Sequence, residues 1–122
     1  MNYSIKVSDS GDYIIIDVHG EVNSEIALKY TTESHKVGNE LGIMKFLVDL
    51  RKAKNVQMIG DNYHFVNQDI AKAPAIDRRA KVAFLVSKDD HSHDFVETVL
   101  RNSGHNVALF RDKDEALSHL LT

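Results

Sequence analysis

Short apolar runs alternate with amphipathic helical segments along the chain, and this alternation constrains the fold more than any other feature of the sequence. Lys45–Leu50 and Lys81–Val86 are rich in apolar residues, which is typical of strands buried on both faces of a parallel sheet. A further strand is predicted over Asn106–Phe110. The connections are short, so the later strands must run parallel through right-handed helical crossovers. The pattern predicts an α/β fold.

The N-terminal segment predicts a β-hairpin. Two β-rich runs, Tyr3–Ser8 and Tyr13–His19, flank the turn-forming cluster Asp9–Asp12. The sheet should therefore be mixed, with one antiparallel pair followed by parallel strands.

About four helices are expected between and after the strands. The first is predicted over Ser24–Leu41, the second ends at Pro74, the third spans about His91–Asn102, and the last follows a capping Asp112. The apolar stripe predicted for the first helix contains Ile26, Tyr30, Val37 and Leu41.

Composition narrows the class of protein. The 122 residues fit one domain, 1–122, and 43% hydrophobic with 27% charged residues is the balance of a packed globule. A net charge of -3 without a basic patch argues against nucleic-acid binding. We find no bilayer-spanning run, no signal peptide and no cysteine, so a cytoplasmic location is expected.

Three local patterns, taken with the order of elements, resemble the STAS domains of sulfate transporters and anti-sigma-factor antagonists, in particular their SpoIIAA-like branch. The patterns are Gly20–Val22, Phe46–Leu50, and Val107–Asp112 before the closing helix. The resemblance covers nearly the whole chain. It implies a functional surface around the loop after Asp49 and the start of the second helix.

In signalling STAS domains, a serine at the start of that second helix is phosphorylated by a partner kinase. This sequence has no Ser or Thr between Ser34 and Ser87, so we expect no such phospho-switch. Asp61 lies in the corresponding stretch. It is interpreted either as a helix cap or as a permanent imitation of the phosphorylated state.

A binding surface is predicted from the same region. Helical spacing places Phe65 opposite the core stripe, so we expect it to be exposed and to support a homodimer. Resemblance to lipid-carrying relatives adds an apolar small molecule to the candidate ligands. The predicted ligand-binding or partner-binding residues are Asp49, Arg51, Met58, Asp61, Tyr63 and Phe65.

Motifs for catalysis or cofactor binding are missing from the sequence. There is no nucleophile elbow, no glycine-rich phosphate loop and no full set of zinc ligands, and we predict neither a cofactor nor a metal. His91 and Asp94 are the weak metal candidates.

The leading hypothesis is a non-catalytic module that binds a protein partner or a small apolar ligand. One alternative is an anti-sigma-factor antagonist that binds a kinase, and another is a small enzyme that uses Asp49, Asp61 or His91.

Overall fold

The computed structural model describes residues 2–56, 61 and 64–122. Its five strands form one sheet in the order β1-β2-β3-β4-β5, in which β1 and β2 are antiparallel and the later neighbours are parallel. The strands are β1 (Tyr3–Val7), β2 (Ile14–Val22), β3 (Lys45–Asn55), β4 (Lys81–Leu85) and β5 (Asn106–Phe110). The prediction of a mixed, mostly parallel sheet with an N-terminal hairpin is confirmed.

In the described residues, four helices pack on this sheet: α1 (Ser24–Leu41), a π-helix (Phe65–Ile70), α2 (Asp94–Asn102) and α3 (Lys113–Leu121). The Asn23 side chain caps α1 by accepting the Ile26 N–H at 3.0 Å. Asp112 caps α3 by accepting the N–H groups of the first turn. Among the described helices, none combines the length and hydrophobicity needed to cross a membrane.

The strand order determines how the helices are distributed. Successive parallel strands are added in one direction, so right-handed crossovers place α1, the π-helix and α2 on the same face of the sheet. That face, here called the cavity face, contributes Ile16, Val48 and Phe84 to the main apolar core. The opposite face carries Leu47 and its neighbours against α3. Hence the two sides of the sheet have separate cores.

The structure lengthens β3 beyond the predicted Lys45–Leu50. Pairing of β2 with β3 resumes after an irregularity between Asp17 and His19, and it continues to the pair Val22 and Asn55. Asp49 and Arg51 therefore lie within β3. The predicted strand end at Leu50 and the predicted loop after Asp49 are wrong, because a bulge, rather than a loop, interrupts the pairing of β2 with β3 there.

Two predictions about which side chains are buried are also wrong. Leu41 is 56% exposed, because α1 is rotated so that Ser34 and His35 face the sheet instead. Phe65 is only 6% exposed and belongs to the main core. The wider π-helix changes which residues share a face, and the exposed aromatic on which the homodimer expectation rested is not present.

Gly38 allows α1 to approach the sheet closely. A Cβ atom added to Gly38 would lie 2.6 Å from the Ile43 carbonyl oxygen and 2.8 Å from the Phe46 ring. The carbonyl belongs to the backbone, which cannot move away as a flexible side chain would. The absence of a side chain at this position therefore sets the distance between α1 and β3.

We expect Gly38→Ala to lower the free energy of unfolding by about 1–3 kcal/mol, because the added methyl group overpacks the α1–β3 contact. This clash should outweigh the higher helix propensity of alanine, which favours it by about 1 kcal/mol. Urea unfolding measures the change. Glu40→Ala, an exposed control on the same helix, should have little effect; equal or higher stability of Gly38→Ala would contradict the packing interpretation.

Candidate ligand cavity

An apolar cavity of about 80 Å³ lies between the cavity face of the sheet and the three helices. It extends from residues at the amino ends of the parallel strands, such as Phe46 and Ala80, to residues at their carboxyl ends, such as Val22 and Asn55. Its lining therefore spans the length of the strands. Most of its wall is aliphatic or aromatic, which is the usual character of a small-molecule site.

His35 is a buried polar residue in the wall of this cavity. Its side chain is 6% exposed, and its ring stacks on Phe46 with the ring centroids 4.2 Å apart. Burial lowers the pKa of His35 to about 4, while the nearby Asp77 carboxylate opposes that shift. Within the described part of the chain, neither ring nitrogen has a hydrogen-bond partner. The imidazole is therefore neutral at pH 7 and available for a hydrogen bond.

His105 lines the same end of the cavity. Its Nε2 atom is buried and has no hydrogen-bond partner among the described residues. Burial lowers the pKa of His105, and the positive charge of Arg78 lowers it further. An unsatisfied buried nitrogen is costly, so this end of the cavity favours a ligand or water that can hydrogen-bond with it.

The carboxyl end of the cavity is closed by His93, which is 3% exposed. Its Nε2 lies 3.2 Å from the Ala53 carbonyl oxygen and 3.5 Å from an Asp90 carboxylate oxygen. Burial lowers the pKa of His93, although these neighbours act in the opposite direction. His93 thus joins the start of α2 to β3 and has satisfied contacts.

A solvent-facing groove lies outside the carboxyl ends of β3 and β4. It is lined by Gly20, Glu21, Arg51–Lys54 and Ser87–Ser92. Arg111 fixes the loop on its rim by donating to the carbonyl oxygens of Lys88 and Asp90 at 3.2 and 2.9 Å. This is the edge at which α/β folds commonly bind ligands.

His91 and Asp94 are adjacent, as their spacing predicts, with Nδ1 and Oδ2 2.9 Å apart. The Arg111 guanidinium lies 3.1 Å from the same His91 nitrogen and 3.5 Å from Asp94. The positively charged guanidinium of Arg111 therefore already lies beside both His91 and Asp94. In the described ranges, no group of three or more potential ligands is placed to hold a metal ion.

Asp49 and Arg51 lie together on the sheet face opposite the cavity. Arg51 donates to both carboxylate oxygens of Asp49 at 2.9 and 2.7 Å. Burial alone would raise the pKa of Asp49, but the hydrogen bonds from Arg51 outweigh it and the net shift is downward. The pair therefore satisfies itself, and an ionised, paired Asp49 is poorly suited to act as a general base.

The other predicted binding residues are dispersed. Asp61 is helical and exposed, whereas Phe65 lines the cavity. Met58 and Tyr63 lie outside the described residues. The structure thus does not place Asp49, Arg51 and Phe65 at one site, because the sheet separates the first two from the third.

Sequence reasoning missed the polar residues of the cavity. The helical pattern placed Tyr30 in the core, but it did not predict that His35 and His105 line a cavity. The available signal was the position of Ser34, four residues after Tyr30, which places it on the same side of α1. Because Ser34 and His35 are polar, the pattern of apolar residues did not reveal that this side of α1 is buried.

Comparisons with known proteins identify the fold. No protein-family model and no curated protein matches the sequence. Among solved structures, the chain is similar to an uncharacterised protein of the DUF3478 family with a SpoIIAA-like fold from Shewanella loihica PV-4. The identity is 17%, the TM-score is 0.58, and the match covers 97% of this chain and 91% of the other.

Two anti-sigma factor antagonists have the same architecture. The protein from Mycobacterium paratuberculosis is 12% identical with a TM-score of 0.60, covering 98% of this chain and 95% of the other. SpoIIAA in its unphosphorylated form is 10% identical with a TM-score of 0.54, covering 98% and 97%. The expected STAS-like, SpoIIAA-like fold is confirmed.

Lowering the pH from 7 to 4 is expected to destabilise the fold through His35. Its folded pKa of about 4 lies below the ordinary 6.5, so the unfolded chain takes up the proton first. Stability present above pH 6.5 is then lost as the pH falls toward 4, and the full contribution is about 3 kcal/mol.

Urea unfolding across this pH range measures the loss in the wild type and in His35→Gln. The variant should lose less stability on acidification, although His93 and His105 shift in the same direction and leave a residual dependence. His64→Gln removes an exposed histidine and should follow the wild type. Identical pH dependence in the wild type and His35→Gln would contradict the assignment.

Proposed function

We propose that the chain is a non-catalytic binding module that takes a small, mainly apolar ligand into the cavity between the sheet and its helices. The observation that carries this proposal is an apolar cavity whose wall contains the buried His35 and also His105, whose buried Nε2 atom has no hydrogen-bond partner among the described residues. Well-packed interiors contain few voids larger than a water molecule.

The size of the cavity limits the ligand. A cavity of about 80 Å³ is smaller than the engineered core cavity of about 150 Å³ that admits benzene. A short or slender molecule fits such a space better than a fused ring. Burial of an unbranched chain contributes about 0.8 kcal/mol per CH₂ group, so even a short chain gives measurable affinity.

The site contains no arrangement suited to bond cleavage. The imidazoles of His35 and His105 line the cavity without a Ser, Thr or carboxylate held to them by a hydrogen bond within the described residues. Asp49 is already paired with Arg51 on the other face of the sheet. These features support binding rather than turnover.

We expect native mass spectrometry of freshly purified protein to show extra mass that disappears on denaturation. Ala27→Leu should lose this mass, because Ala27 lines the cavity and the larger side chain fills it. Ala71→Leu, at an exposed position away from the cavity, should retain it. Bare wild-type protein, or the same added mass in Ala27→Leu, would contradict the proposal.

A second candidate function is regulation through a protein partner, as in an anti-sigma factor antagonist. The fold is that of such antagonists, and the groove beside β3 offers Lys52 and Lys54 to an acidic surface. The absence of Ser and Thr from residues 35–86 means that any control differs from serine or threonine phosphorylation in that stretch. Exposed Asp61 would then be a constant negative charge.

If the groove binds a partner, a double substitution of Lys52 and Lys54 by Glu should weaken binding to an anti-sigma-type kinase domain about tenfold or more, mainly through slower association. Titration at low and at physiological salt measures the effect, which salt should reduce. Lys6→Glu, an exposed charge reversal on β1, serves as the control. An equal effect of the control would exclude the groove as the contact surface.

A further inference from the structure

The polar groups of the cavity are concentrated at one end. His35, His105 and Asp77 line the same cavity, and both His105 and Asp77 are close enough to His35 to influence its charge. All three belong to the amino-end side of the parallel strands, since Asp77 precedes β4 and His105 precedes β5. The opposite end is closed by satisfied groups, including His93.

The net charge at this end of the cavity is positive, because Asp77 and Arg79 neutralise each other and Arg78 remains. Arg79 donates to both carboxylate oxygens of Asp77, with Nη2 2.8 Å from Oδ2, and compensates that charge. Arg78 is exposed and has neither a hydrogen bond nor an ion pair among the described residues. Its Nη1 atom lies beside the Gly104 backbone, 3.8 Å from the position of a Cβ built there.

We propose that the ligand is a short, unbranched monocarboxylic acid whose carboxylate binds at the His35, His105 and Arg78 end while its apolar chain extends along the strands. This inference rests on the proposed function and specifies its ligand. Each neutral imidazole supplies one N–H donor, and the guanidinium supplies several more with a full positive charge. These donors match the two oxygens of a carboxylate.

The remaining lining explains why the rest of the ligand is apolar. Beyond the polar end, most of the wall is formed by apolar side chains such as Val48, Leu50 and Phe65, which offer no hydrogen bonds. The polar side chains at the far end, Asn23, Ser24, Asn55 and His93, already have partners within the protein. A second charged group placed there would lose its hydration without compensation. A dicarboxylate or a sugar is therefore excluded by the same wall that accommodates a hydrocarbon chain.

The test compares hexanoate with hexan-1-ol, which has the same chain length and no charge. Both are titrated into isotopically labelled protein, and the dissociation constants are obtained from chemical-shift changes of cavity residues. We expect hexanoate to bind about tenfold more tightly, the difference that a charge-assisted hydrogen bond supplies. Arg78→Gln should remove most of this advantage without changing the affinity for hexan-1-ol.

Lys6→Gln is the matched control, because it removes one exposed positive charge far from the cavity. It should leave the preference for hexanoate intact. Equal or tighter binding of hexan-1-ol to the wild type, or an equal effect of Lys6→Gln and Arg78→Gln, would overturn the carboxylate assignment while preserving the cavity as a ligand site. Failure of both compounds to bind would overturn the proposed function as well.

Discussion

The handedness of the βαβ crossover governs the architecture of this protein. Because each parallel strand is added on the same side of the previous one, three successive connections must pass over one face of the sheet. In the part of the chain that the structure describes, three helical segments share that face, and α3, which follows the last strand, is the one that covers the other. The cavity exists where these three segments fail to fill the space above the sheet.

The inner surface of α1 determines what kind of space this is. Gly38 brings one end of the helix into close contact with Phe46, while Ser34 and His35 replace the larger aliphatic side chains that would complete the core. The same helix therefore packs tightly at its C-terminal turn and buries polar side chains nearer its middle. A fold optimised only for stability would place apolar residues there, since buried polar groups without partners are destabilising.

The sequence was sufficient to predict the order of elements and the parallel pairing, because uninterrupted apolar runs such as Lys81–Val86 have few structural interpretations. It was insufficient for the rotation of α1 and for Phe65. The rotation of α1 was missed because a polar residue, His35, faces the core. The burial of Phe65 was missed because a π-helix alters the periodicity on which the predicted face depended. The long-range approach of Arg78 to Gly104 is not encoded in local spacing at all.

The wall between the cavity and the outer groove is a single layer of backbone. Asn55 borders the cavity, yet its N–H donates a hydrogen bond to a residue of the groove rim, the hydroxyl oxygen of Ser92, at 3.0 Å. The next residue, His93, closes the cavity from within and holds the Ala53 carbonyl. A molecule bound in the cavity and a protein bound in the groove would therefore contact opposite sides of the same short stretch of backbone. Movement of that stretch on binding one of them would change the surface offered to the other.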